Sequence, residues 1–175
     1  MNSENTAANV GCLLNKGVEM EPIRMPITGN EDQGNLSLPY QALVQFYFAF
    51  NHRNIKTMVD NWAKTDEITM NNPLGGIKRG WDEIRQIYEK IFSGPAKIFV
   101  EYYDYSIHET DEMFYAVGKE RGYFRLAENE MKLFIRTSRV FKKIDERWRQ
   151  VHHHGSIDDP ELLKRYQIAV LNERK

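Results

Sequence analysis

Apolar residues recur at helical spacing in the first half of this chain and alternate with polar ones in the second. Leu43, Phe46, Tyr47 and Phe50 share one helical face. Ser37 is placed to cap that helix and Pro39 to occupy its first turn, with the end near Asn51. Asn54 caps a second helix bearing Ile55, Met58, Val59 and Trp62. A short strand over 67–70 follows, then Pro73 and Gly75-Gly76 break the chain. Residues 80–92 predict a third helix, with Trp81, Ile84, Ile87, Tyr88 and Ile91 on one side. From Lys97 the period becomes two. Residues 97–108, 113–124, 131–144 and 147–154 predict four strands joined by short polar links, so hairpins are the simplest connection. Asp158-Asp159-Pro160 opens a last helix to about Asn172.

Helices grouped ahead of long strands imply an α+β fold, with the helices on one face of a curved antiparallel sheet. Three segments are expected: an extended or flexible arm over 1–36, a domain over 37–156 and a tail helix over 157–175. In the arm, the apolar spots 10–14 and 23–27 are placed to dock on the body or on a neighbouring subunit.

A chain of 175 residues suggests one domain with a sizeable core. A net charge of −1 argues against sequence-independent nucleic-acid binding, which needs a basic surface. No apolar run is long enough to span a membrane. The single cysteine, Cys12, excludes an internal disulfide and fits a reducing, cytoplasmic setting. The 12% of aromatic residues suits both a sheet and an apolar pocket.

Two segments carry a resemblance. Val44-Gln45-Phe46-Tyr47, the stretch from Asn51 to Trp62, and Ile68 to Pro73 are similar to the start of ketosteroid isomerases. Arg139-Val140-Phe141, Trp148 and Val151-His152-His153-His154 are similar to the end of SnoaL-like proteins and of the calcium/calmodulin-dependent kinase association domain. Together, over about 38–156, the chain resembles the nuclear transport factor two-like superfamily. The resemblance implies a cone-shaped α+β barrel, a pocket, a homodimer, and an enzyme that needs no cofactor if it is an enzyme at all.

Tyr47 matches the family's oxyanion-binding tyrosine, which donates a hydrogen bond to a developing enolate. Asn72 stands where ketosteroid isomerases carry their aspartate base. An amide accepts no proton near neutral pH, so a base must come from elsewhere. His153 and His154 on the last strand are the first candidates, with Glu101, Asp104 and Glu120 as carboxylate options. Asn72, Arg139, Tyr123 and Trp62 are assigned to the ligand wall.

Arg139 sits on a strand face with Leu133, Ile135, Thr137 and Phe141. A charge there needs a partner: an acidic ligand, or an internal carboxylate from Glu101, Asp104 or Glu120. Strand alternation puts His152 and His154 on one face and His153 on the other. No third ligand is marked by spacing, so no metal is assigned.

Three functions are open. One is proton-transfer chemistry (isomerisation, cyclisation or dehydration) on a small apolar oxygenated molecule. Another is binding of an apolar or acidic molecule without turnover. The third is an assembly module with a vestigial pocket.

Overall fold

The structure, a computed structural model, describes residues 21–172, and the side chains through Val170. Cys12 and the apolar spot at 10–14 lie outside the described residues. The element order is α1 (Pro39–Asn51), α2 (Ile55–Asn61), β1 (Thr69–Asn71), β2 (Lys78–Arg79), α3 (Gly80–Ser93), β3 (Lys97–Glu109), β4 (Met113–Leu126), β5 (Asn129–Ile144), β6 (Arg147–Ser156) and α4 (Pro160–Asn172).

The helix starts follow local chemistry. Asn54 caps α2 by accepting from the Thr57 N–H at 3.0 Å, and Asp159 caps α4 through the N–H groups of Glu161 and Leu162. At α1 the expected cap differs. Leu38, not Ser37, occupies the cap position and offers no side-chain acceptor; Pro39 at the first turn needs none for its missing N–H.

Six strands form one sheet in the order β2-β1-β6-β5-β4-β3. The four long strands pair antiparallel as expected. The sheet as a whole is mixed, because β1 runs parallel to β6, with Met70 beside His153. Alternation could not foresee β2 or this pairing, since both strands are too short to show a period.

Two glycines let β4 pass close under β3. A Cβ at Gly118 would lie 2.5 Å from the Tyr105 Cβ, and one at Gly122 would overlap the Phe99 carbonyl oxygen. The sheet therefore bends around α1 and α3 and encloses the core. Asn51 of α1 clamps the β3 edge, donating to the Val100 carbonyl at 2.8 Å and accepting from its N–H at 3.0 Å. The 21–36 segment covers more of that edge, with Ile23 bridging Tyr105 and Ile27 bridging Tyr102. The apolar spot at 23–27 thus docks on the body, which removes an exposed strand edge.

Among the described residues, no helix is long and apolar enough to cross a membrane.

Candidate functional site

A cavity of about 130 Å³ opens between the helices and the concave face of the sheet. Its walls are apolar: Phe46 and Phe50 from α1, Ile87 and Ile91 from α3, and Val100, Phe124, Leu133 and Ile135 from the sheet. Tyr166 and Val170 of α4 close one side. Tyr166 meets Phe124 edge to face at 5.9 Å.

The polar groups gather on β4, β5 and β6. Arg139 is 2% exposed. Its Nη2 donates to Glu120 Oε1 at 2.8 Å, its Nε to the Tyr47 hydroxyl at 3.2 Å and its Nη1 to Gln150 Oε1 at 3.0 Å. Tyr47 in turn donates to the same Glu120 Oε1 at 2.7 Å. The Phe46 ring covers the guanidinium at 3.4 Å, a favourable cation–π contact in a desolvated place. Burial opposes the charge on Arg139, but the Tyr47 oxygen and Glu120 more than offset this, and its pKa lies above the ordinary value.

Register explains the pairing. Glu120 lies across from Ile135 and Arg139 across from Ala116, while Gly118 faces Thr137 between them. The small Gly118 and Thr137 leave room for two long side chains on the same face to meet.

His153 reaches the cavity through a bulge. On β6, Trp148 and Gln150 face inward and are buried. Strict alternation would next turn His152 inward. Phe141 pairs with Gln150 but Val140 with His152, so Val151 is an extra residue. The bulge reverses the alternation, and His153 lines the cavity instead. Burial, and then Arg139, hold His153 well below the ordinary value near 6.5, so the ring is neutral at pH 7. Its Nδ1 is buried and makes no hydrogen bond of good geometry among the described residues; the Ser138 backbone favours the charged ring only weakly.

The other expected site residues take varied places. Asn72 lines the cavity mouth beside Pro73. Its Oδ1 already accepts from the Leu74 N–H at 3.0 Å, so the amide offers mainly donors. Tyr47 is fully buried behind Arg139 and is absent from the cavity wall. It is raised well above the ordinary tyrosine value, burial being the main cause. Trp62 is buried one layer further back, 6.2 Å from the Tyr88 ring. His154 is exposed on the convex face of the sheet, in a polar groove with Ser106, Ser138 and Ser156. Tyr123 also faces outward, stacked on Phe99 at 5.8 Å and capped by Arg125. Neither His154 nor Tyr123 lines the cavity, because each lies on the outward-facing side of its strand.

Of the carboxylates considered, only Glu120 enters the cavity. Glu101 and Asp104 pair outside with Arg121 and Lys119. His152 and His154 share the convex face, and His152 binds Thr69 Oγ1 at 2.6 Å. Among the described residues no group of three His, Cys, Asp or Glu is placed to hold a metal.

Buried neutral His153 also sets a pH response. Its pKa in the folded chain is depressed, so below about pH 6.5 the unfolded chain binds a proton that the folded chain refuses. Stability is therefore full above that pH and falls on acidification, by up to about 1.4 kcal/mol per pH unit for this group. His153→Phe should flatten the slope between pH 6.5 and 5 in urea melts. An unchanged slope would show that His153 is not the group responsible.

No curated protein matches this chain. Several solved structures share its fold. A candidate dehydratase of the NTF2-like family from Streptomyces avermitilis aligns with a TM-score of 0.60 and 17% identity, over 69% of this chain and 94% of the other. A ketosteroid isomerase-like protein from Erwinia carotovora atroseptica gives 0.58 and 16%, over 73% and 98%. A candidate calcium/calmodulin-dependent protein kinase type II association domain from Thiobacillus denitrificans gives 0.56 and 20%, over 69% and 95%. At such identities the likeness carries the fold alone. The SnoaL-like domain family matches residues 40–160, which take in every strand and all of the site except the α4 wall. By that match the chain belongs to the SnoaL-like domain family.

Proposed function

We propose that this protein holds a small, largely apolar oxygenated molecule in the inner cavity and transfers a proton on it without a cofactor. Isomerisation, cyclisation and dehydration are the reaction types this suits. The observation that supports the reading best is an apolar cavity ending in a neutral, buried histidine beside a fixed ion pair. His153 acts as proton acceptor. The N–H groups of Arg139 that its internal partners leave free, and the Asn72 amide, steady the oxygen on which charge develops. Tyr47 positions Arg139 and Glu120 rather than the substrate. The fold likeness to the candidate dehydratase and the isomerase-like protein is consistent with this chemistry, though a shared fold does not by itself assign it.

One observation favours a second reading, binding without turnover. Three N–H groups of Arg139 and Glu120 Oε1 are bound internally, which describes a rigid ligand wall as well as a catalytic one.

Pairing into a homodimer is part of the proposal. Met113, Tyr115 and Val117 are exposed together on the convex side of β4, and a second copy would cover them.

The test starts with native mass spectrometry of the purified protein, followed by denaturing release of what it carries. The released molecule is then incubated with protein in D2O. The expected result is deuterium uptake, slowed about 10²–10⁴-fold in His153→Asn with binding retained. Tight binding with no exchange in either protein would select the second reading.

A further inference from the structure

We infer that Glu120 sets the charge preference of the cavity: by neutralising Arg139, it makes the site accept an uncharged carbonyl or hydroxyl compound and refuse a carboxylate of the same shape. This rests on the reading of the cavity as a ligand pocket.

A buried arginine in a pocket invites an anionic ligand. Here the countercharge is already built in. Arg139 and Glu120 are 2.8 Å apart, with side chains 2% and 6% exposed. The guanidinium has five N–H groups. Tyr47, Gln150 and Glu120 each take one, the Tyr88 hydroxyl stands beside it as a further acceptor, and Phe46 covers its face. Both strong donors that reach Glu120, Tyr47 and Arg139, converge on Oε1.

Among the described residues, the other charged side chain on the wall is Lys90, which is exposed on α3. The polar end therefore carries no net charge. His153 adds none, because burial and Arg139 keep it neutral.

An incoming carboxylate would leave water for an apolar enclosure and meet Glu120 beside its only buried cation. Neither cost is offset by a second buried cation among the described residues. A ketone or alcohol loses far less on leaving water. It can accept from the N–H groups of Arg139 that the internal network leaves over, or bond with the His153 ring. The acidic-ligand and internal-pair explanations of Arg139, equal on sequence, are thus separated by Glu120.

The experiment is calorimetric titration of the intact protein at pH 7.5 with two probes of one shape, acetophenone and benzoate. The wild type is expected to bind the ketone at least about tenfold more tightly, the cost of desolvating an uncompensated charge setting the scale. In Glu120→Gln the preference should reverse, because Arg139 is left uncompensated. The double variant Glu120→Gln, Arg139→Gln should restore the preference for the ketone. Equal or tighter binding of benzoate by the wild type overturns the inference and leaves the pocket reading standing. A preference that does not move in Glu120→Gln also overturns it. If Glu120→Gln does not fold, the wild-type pair and the double variant decide. Failure of the wild type to bind either probe overturns the pocket reading itself, and this inference with it.

Discussion

Replacing Arg139 with methionine is expected to lower the unfolding free energy by about 3–5 kcal/mol, the usual result of removing one partner of a buried ion pair. The loss follows from what is left behind. Glu120 would remain as a buried carboxylate with Tyr47 as its one donor among the described residues. Gln150 Oε1 would lose its donor, in a side chain whose Nε2 already lacks a partner among the described residues. Phe46 would lose the cation over its ring. Methionine fills similar volume, so the cavity contribution stays small. The double replacement Glu120→Leu, Arg139→Met should recover most of the loss, since it removes both charges together. Urea unfolding of the two variants makes the comparison. A single-variant loss under about 1 kcal/mol would place the pair in contact with water, as surface pairs are.

Gly122→Ala is expected to cost about 3 kcal/mol or more, at the upper end for overpacking. The added Cβ overlaps the Phe99 carbonyl oxygen and lies 2.9 Å from the Val100 Cα. These are backbone atoms and cannot swing aside. Nor can β3 move away as a whole, because Asn51 grips Val100 from its other edge through two hydrogen bonds. The strand must either break its pairing with β4 or pull α1 with it. The Tm should fall accordingly, and the cavity should lose its shape, since Val100 is part of its wall. An alanine variant as stable as the wild type would mean that the close β3–β4 approach is not required for folding.

Much of this architecture is legible in the spacing of apolar residues along the chain. The switch from helical to alternating apolar spacing at Lys97 placed the four long strands within two residues at either end. Arg139 on a mostly apolar strand face announces a buried charge, and it is 2% exposed. What escaped was set by events that leave little trace in spacing. The inward turn of His153 depends on one extra residue at Val151. Alternation alone constrains His152, His153 and His154 relative to one another but cannot say which faces in. Glu120 shares an inward face with Phe114, Ala116 and Phe124. That apolar alternation was the signal that could have marked it over Glu101 and Asp104. Asp104 itself lies in a β3 bulge with φ near +50°, where the register shifts between Tyr103 and Ser106. The same bulge sends both Tyr102 and Tyr105 inward, stacked at 4.9 Å. Residue type marks Tyr123 and His154 for the site, but each lies on the outward side of its strand. The parallel β1–β6 pairing, which brings Asn72 to the cavity mouth, involves strands too short to announce themselves.

The apolar cavity ending at His153 is proposed to take a small oxygenated molecule. An NMR titration of protein labelled with nitrogen-15 in its histidine rings, with acetophenone added stepwise, tests this. The His153 ring signals are expected to move in a saturable way while those of His154, on the convex face, stay still. Saturable binding with His153 unmoved, or no binding at all, would contradict it.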